Sequence, residues 1–360
     1  MTQNKNYYVI IMAGGIGSRF WPVSKKSFPK QFIDILGTGE SLIKQTFTRF
    51  THLVPEENIF IVTNKDYAEL VQEHIPQIQP SRIILEPSAK NTAPCIALAN
   101  LHIKSINPEA TILVAPSDHL ILNEINFIAI AKKALDFASN NPTLLTLGIK
   151  PTRPDTGYGY IQFNKENMQE GIHQVKTFTE KPSLDIAINF LESKEFLWNA
   201  GIFVWSLKSI SNSIEKHLPE IHQLFAELDV NAANYHVELE KSYAQCPSIS
   251  IDYGIMEKDD FVCVLPSDFG WSDLGTWKSL WDVSVKDENK NALIGKNTHA
   301  FDSKNSLVFN DTDKLVVISG VDNLVVVESN NVLLVINKEK EQEVKTVVGA
   351  IKDQYKGKYD

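Results

Sequence analysis

Short apolar runs alternate with amphipathic stretches through the first third of the chain. Tyr7–Met12 (YYVIIM) and residues 58–63 (NIFIVT), 82–85 (RIIL) and 111–115 (TILVA) are compact and β-branched, the pattern of parallel strands buried on both faces. Between them the period changes. Phe127, Ile130, Ala131, Ala134, Leu135 and Ala138 fall at i, i+3, i+4, i+7, i+8 and i+11, which predicts a helix with one apolar stripe. A second helix follows Asn91 and Thr92 and contains Ile96, Ala97 and Leu101. Strand and helix in alternation predict right-handed crossovers and a doubly wound α/β sheet. In such sheets ligands gather beyond the carboxyl ends of the strands.

The middle of the chain is more mixed. Residues 144–148 read as another buried strand, followed by a loop of Pro, Arg and Gly over residues 151–159. Strands are predicted at 160–163, 175–178 and 201–205, helices at Leu184–Ser193 and 207–216, and a polar helix over 219–243. The sheet is therefore expected to be mixed, with a sub-region built over its binding edge. The composition shifts at residues 282–291 (DVSVKDENKN), which divides the chain into 1–284 and 285–360. Past that point Leu315-Val-Val-Ile, Leu324-Val-Val-Val and Leu333-Leu-Val-Ile recur every nine residues, separated by turn formers. This predicts stacked short strands. A closing helix carries Val344, Val347, Val348 and Ile351 on one stripe. So short a β-rich domain has little core of its own and is expected to pack on the first domain or on a second subunit.

Composition narrows the class. The chain has 360 residues, 43% apolar and 22% charged, enough for about two domains with a substantial core. No apolar run approaches the ~18 residues of a membrane span, and the polar start lacks the apolar core of a signal peptide. Cys95, Cys246 and Cys263 are widely spaced and in no C-x-x-C pair, which argues for a reducing cytoplasm and against a disulfide framework or a zinc site. A net charge of −9 without basic tracts argues against nucleic acid as a partner.

Against that acidic balance one stretch stands out. Gly14, Gly15 and Gly17 follow the first strand, and Arg19, Lys25, Lys26 and Lys30 come next, with no acid before Asp34. Glycine lets backbone N–H groups approach a ligand closely, and a concave set of N–H groups at a strand end takes phosphate oxygens. Neither the dinucleotide G-x-G-x-x-G helix start nor the P-loop G-x-x-x-x-G-K-[ST] is present. Two loop acids complement these cations. Asp118 follows the strand at 111–115, and Asp273 lies in GWSDLGTW. Each alone reads as a turn or cap acid; together they are candidate ligands for Mg2+, which takes one or two protein carboxylates and bridges substrate phosphates. Glu86 can accept from the N1–H and N2–H2 edge of guanine, Lys90 can reach phosphate or ribose, and Asn91 or Thr92 caps the following helix. Glu180, Lys181 and Asn199 at strand ends together suit a sugar phosphate, though each alone reads as a solvated or capping residue, and Gly157 and Gly159 give either close backbone approach to a sugar or merely a mobile turn.

Taken in order, AGGIGSRFWPVSKKSFPKQF, EPSAKNTAP, APSDH, GIKPTRPDTGYGYI, FTEKP, WNAGIFVW, SIDYGIMEK and GWSDLGTW resemble the mannose-1-phosphate guanylyltransferases of the sugar-nucleotidyltransferase superfamily. The strings run from Ala13 to Trp277; Phe20 stands where the family commonly has leucine. The resemblance implies a Rossmann-like nucleotidyltransferase domain with a mixed, mostly parallel sheet, then a small β-rich, β-helix-like domain ending in a helix. It also implies transfer of GMP from GTP to mannose 1-phosphate with Mg2+ in a cytoplasmic homodimer. On the matching positions, Gly14, Gly15 and Gly17 would hold nucleotide phosphates, and Arg19 and Lys30 would carry charge on the triphosphate. Asp118 and Asp273 would hold the metal. Glu86, Lys90, Asn91 and Thr92 would lie at base and ribose, and Gly159, Glu180, Lys181 and Asn199 at the mannosyl phosphate. Asp252 has no role beyond its place in a family string. Longer bifunctional members add a phosphomannose isomerase domain, which a chain ending at Asp360 is not expected to supply. The rival readings are a related enzyme with another sugar or base, and a non-catalytic sugar-nucleotide sensor, which would usually lack the metal acid or the phosphate lysine.

Overall fold

Nine strands hydrogen-bond into one sheet in the computed structural model, which describes residues 4–15 and 17–359. Met1–Gln3 of the polar start, Ile16 of the glycine turn and Asp360 lie outside the described residues, as do the side chains of Asn167 and Met168. Across the sheet the order is Ile83–Glu86, Ile59–Asn64, Tyr7–Met12, Thr111–Pro116, Phe196–Ser206, Leu144–Ile149, Val262–Ser267, Ile172–Thr179 and Tyr160–Gln169. The first four strands are parallel, and their register aligns their carboxyl ends: Met12 pairs with Val62 and with Pro116, and Asn64 with Glu86. The long strand Phe196–Ser206 then runs antiparallel to the three strands it pairs with, Thr111–Pro116, Leu144–Ile149 and Tyr160–Gln169, which makes the sheet mixed.

Two differences from the sequence reading have local causes. Val262–Ser267 was not anticipated as a strand, because its apolar run is short and contains Pro266, a residue usually excluded from central strands. Its pairing with Ile172–Thr179 is confined to Cys263 and Val264, so Pro266 needs no partner on that side. The single helix expected over 219–243 is two, Pro219–Ala226 and Tyr235–Gln245. Between them Asp229 accepts from the Asn231 amide at 2.9 Å, the local turn chemistry that interrupts a helix.

The chain divides into two compact units, and the sheet belongs wholly to the first (residues 1–14, 47–117 and 121–271). The second unit gathers residues 15–46, 118–120 and 272–360. Its C-terminal part winds through short parallel strands. Ala292–Ile294, Leu307–Asn310 and Leu324–Ser329 stack in one sheet, and Thr298–Phe301 with Val316–Ser319 forms another. Val332–Asn337 closes the first sheet antiparallel. The runs beginning at Leu315 and Leu324 thus lie in different sheets, so one nine-residue repeat is part of a winding turn. Strand alternation serves two apolar layers. Val308, Ile318 and Val326 pack inside the winding, while Leu307, Phe309, Val325 and Val327 face Phe20, Trp21, Ile33, Leu42 and Trp277. The β-rich segment therefore completes its core with the segment that follows the glycine turn. The Trp21 indole also donates to the Tyr359 carbonyl at 2.8 Å, past the terminal helix Val344–Tyr355.

Candidate functional site

The candidate residues fall in both units. In the second, the glycine turn ends at Gly17, which adopts φ 69°. A Cβ on Gly17 would lie 2.5 Å from the Lys30 Cβ, so both conformation and space require glycine there. A single 3-10 turn, Ser18–Phe20, follows and leaves Arg19 exposed. Lys30 opens a second 3-10 turn, Lys30–Phe32, and is only 3% exposed. Its ammonium lies 2.8 Å from Asp118 Oδ2, 2.8 Å from the Asp273 carbonyl and 2.9 Å from the Leu274 carbonyl. All three N–H donors of the ammonium are therefore engaged by protein oxygens.

Lys30 thus brings Asp118 and Asp273 to one cation, the first through its carboxylate and the second through its main chain. Burial opposes ionisation of Asp118, but the charges of Lys30 and His119 and the hydrogen bond from Lys30 outweigh it and hold the carboxyl below its ordinary range. The Asp273 Oδ1 accepts from the Gly275 amide at 3.0 Å. Among the described residues no cluster of three or more His, Cys, Asp or Glu side chains is assembled to hold a metal alone. Two hard oxygen donors of this kind fit an ion that completes its shell with water and ligand phosphate.

In the first unit Gly14 and Glu86 meet. A Cβ on Gly14 would stand 3.4 Å from Glu86 Oε2, although the strands they follow and end, Tyr7–Met12 and Ile83–Glu86, are separated in the sheet by Ile59–Asn64. Glu86 is 6% exposed, and its Oε1 accepts from the Tyr243 hydroxyl at 3.0 Å. Burial pushes the carboxyl up to about 7, against hydrogen bonds from Tyr243 and Cys95 that favour the charge. Asn91 caps the helix Thr92–Ile106, its side chain accepting from the Thr92 amide at 2.9 Å. The Thr92 hydroxyl accepts from the Ile251 amide at 2.8 Å. Lys90, half-buried, extends to the Ala244 carbonyl at 3.4 Å.

Gly159, Glu180 and Asn199 converge in the same unit. The main-chain N–H of Asn199 donates to the Gly159 carbonyl at 2.8 Å, and a Cβ on Gly159 would collide with Glu180 Oε2. Lys181, with φ 48°, turns its ammonium onto Glu180 Oε1 at 2.7 Å. Asp252 joins this group: its Oδ1 accepts from Asn199 Nδ2 at 2.9 Å. Burial first and the Glu180 carboxylate second push Asp252 up to about 6. Gly159→Ala is expected to displace the end of the Glu180 side chain and leave the backbone in place. If Gly159 borders the sugar-phosphate subsite expected from the sequence, the melting temperature should hold while KM for that substrate rises about tenfold or more. Parallel calorimetry and kinetics read both, and an unchanged KM would separate Gly159 from the site.

Two partners escaped the sequence reading, Tyr243 and Thr146, and a third, Asp252, was named there only for its place in a family string, without a role. Tyr243 lay inside a stretch read as polar helix, and nothing local marks its hydroxyl as the donor to Glu86. Thr146, whose hydroxyl lies 3.0 Å from Asn199 Oδ1, did leave a signal, since it is a polar residue in the middle of the buried run LLTLGI. Asp252 begins a π-helical turn, Asp252–Met256, a rare conformation that favours functional sites and has no sequence signature of its own.

Comparison with known proteins gives the family. The family described as nucleotidyl transferase matches residues 8–290, and the mannose-phosphate isomerase/GMP-like β-helix domain matches residues 296–351. A mannose-1-phosphate guanylyltransferase of Klebsiella pneumoniae is 37% identical over 359 residues, covering 97% of this chain and 75% of its own. One from Salmonella muenchen is 38% identical over 351 residues, covering 95% of this chain and 73% of its own. Among solved structures, one described as a mannose-1-phosphate geranyltransferase from Thermus thermophilus superposes with a TM-score of 0.86 at 32% identity, over 96% of this chain and 99% of that one. A nucleotidyltransferase match across most of the chain, a β-helix match beyond it and relatives of this similarity agree: the chain belongs to the mannose-1-phosphate guanylyltransferase family of nucleotidyltransferases.

Proposed function

We propose that this chain transfers GMP from GTP to mannose 1-phosphate, giving GDP-mannose and pyrophosphate. The observation that carries the reading is the meeting of Asp118 and Asp273 at Lys30, in the unit that also holds Gly15, Gly17 and Arg19. A phosphate oxygen of mannose 1-phosphate attacks the α-phosphorus of GTP in line, and pyrophosphate departs. That oxygen is already ionised at neutral pH, so no general base is needed. Two anions must be held together instead, and the work is positioning and charge neutralisation. The backbone of Gly14, Gly15 and Gly17 cradles the triphosphate, and Arg19 lays its exposed guanidinium on it. Lys30 sets the two acids and lends its charge. Glu86 accepts from the N1–H and N2–H2 edge of guanine, with Lys90, Asn91 and Thr92 at ribose. Glu180 and Asn199 take sugar hydroxyls over Gly159, and Lys181 faces the sugar phosphate.

Asp118 and Asp273 are the residues that would hold Mg2+, which when bound offsets phosphate charge. The reaction belongs to the cytoplasm. We read the working form as a homodimer, on the exposed apolar side chains of Phe301, Leu315 and Val317 in the β-rich segment. The deciding experiment pairs the four NTPs with several sugar 1-phosphates and reads pyrophosphate release, with Mg2+ and with a chelator. GTP with mannose 1-phosphate should be the fastest pair, and the chelator should abolish it. A faster rate with another base or sugar would replace this assignment.

A further inference from the structure

Asp252 has no part in the mechanism above, yet its contacts are specific. Its Oδ1 accepts from Asn199 Nδ2 at 2.9 Å. The oxygen of the same amide lies 3.0 Å from Thr146 Oγ1 and 3.1 Å from the Gly201 amide. A side-chain amide offers two N–H donors and an oxygen with two lone pairs. Here the Gly201 N–H takes one lone pair, the Thr146 hydroxyl shares its single proton between the other and the Ile202 carbonyl at 3.2 Å, and Asp252 takes one N–H, so one N–H has no partner among the described residues and is left for a ligand. Turning the amide over would set its NH2 against the Gly201 N–H and its oxygen against the Asp252 carboxylate. Both contacts would be repulsive. The Gly201 N–H and the Asp252 carboxylate therefore decide together which way the Asn199 amide is turned, the first by holding its oxygen and the second its NH2.

Asp252 is itself held firmly. Its carbonyl accepts from the Glu257 amide at 3.0 Å, closing the π-helical turn. Just before it, the Ile251 amide donates to Thr92 Oγ1 at 2.8 Å, and the Ile249 amide to the Lys90 carbonyl at 3.2 Å. The segment carrying Asp252 is thus laced to residues 90–92, so the aspartate cannot drift from the amide it orients.

We propose that Asp252 is a positioning residue whose carboxylate locks the Asn199 amide, so that Asn199 presents a single N–H donor to an oxygen of the sugar 1-phosphate. This rests on Gly159, Glu180 and Asn199 forming the sugar-phosphate subsite. Asn199 then acts as a donor only, and Glu180 supplies the acceptor for sugar hydroxyls. Selectivity follows: a sugar phosphate offering only a donor at that place would meet an N–H and be refused.

The test is a double-mutant cycle on the full chain, with wild type, Asp252→Ala, Asn199→Ala and the double variant, read as KM for each substrate and kcat/KM. Each single variant should raise KM for mannose 1-phosphate about tenfold, the worth of one well-placed hydrogen bond, with KM for GTP within about twofold of wild type. The double variant should be no worse than Asn199→Ala within about twofold, because Asp252 works through that amide. Asp252→Asn keeps an acceptor oxygen and should recover most of the loss. It also serves if Asp252→Ala folds poorly. Multiplying effects in the double variant would mean that Asp252 acts apart from Asn199 and would overturn the proposal. So would an Asp252→Asn variant as impaired as the alanine, or equal losses for both substrates. If wild type prefers another sugar 1-phosphate, the cycle is run with that substrate and reads the inference unchanged. If wild type turns over no sugar 1-phosphate, the subsite reading fails and takes the proposal with it.

Discussion

Replacing Lys30 with methionine is expected to cost about 3 kcal/mol of stability and to lower kcat by roughly 10²–10³. The stability loss comes from what remains after the ammonium is gone. Asp118 loses its counter-charge at 2.8 Å, and the carbonyls of Asp273 and Leu274 lose their donor in a buried setting. Breaking such a pair from one side typically costs about 3–5 kcal/mol, and the lower end applies because Asp118 keeps 29% of its side chain in solvent. The effect on kcat follows because the same ammonium pairs with the Asp118 carboxylate and anchors the main chain of Asp273, the two residues proposed to hold the metal. The pH dependence has a definite sign. Asp118 is depressed below its ordinary 3.8, so the pair's contribution is fully present above that value and is lost as pH falls through the lower folded value. Denaturant unfolding of wild type and variant should therefore show a gap that is constant near neutrality and narrows in acid. A variant as stable as wild type would show that the three contacts are worth little. A stable, fully active one would remove Lys30 from the machinery.

Glu86→Gln should act in the opposite direction on stability. The wild-type carboxyl sits at about 7 in the folded chain against an ordinary 4.5, because burial disfavours its charge. Between those values the folded state holds a proton that the unfolded state has lost, so stability falls as pH rises through the window and levels off above 7. The full penalty is about 3 kcal/mol. Glutamine carries no such charge, so the variant should gain on wild type from pH 5 to pH 7 and hold that lead at pH 8. Activity should move the other way. Guanine's two donors need two acceptor lone pairs, and glutamine sets an NH2 against one of them, so kcat/KM for GTP should drop about 10²-fold or more. In wild type the affinity for GTP should weaken by up to about tenfold per pH unit below 7, as Glu86 must ionise to bind. Calorimetric titration at pH 6, 7 and 8 reads this directly. A flat profile would separate Glu86 from the base.

The strand runs around Tyr7, Ile59 and Thr111 were legible because strands buried on both faces are continuous apolar runs, which need no knowledge of their neighbours; the edge strand Ile83–Glu86 carries a similar run, though its Leu85 is exposed. The Thr92–Ile106 and Glu124–Asn140 helices were legible for the corresponding reason, since a stripe and a cap are local features. Val262–Ser267 was not, because a proline is acceptable in a strand only where the partner stops short, and the partner lies far away in sequence. The site divides along the same line. Gly14, Gly17, Glu86, Asp118, Asp273 and Asn199 are visible as residue types in ordered strings. Their hydrogen-bond partners, Tyr243, Thr146 and Asp252, lie far from them in the chain.

What the amino-acid order settles here is residue chemistry and local conformation: which runs are apolar, where glycine must bend the backbone, and which family strings recur in which order. What tertiary structure alone decides is which groups share a proton or a charge. Lys30 reads from the chain as an open cation beside a glycine turn. In the fold its three donors are taken by residues some ninety to two hundred and forty positions away, because a buried ammonium must find oxygens wherever the packing brings them. The position of Glu86 near neutrality follows from the same physics, since burial is a property of the packed chain and not of any segment of it.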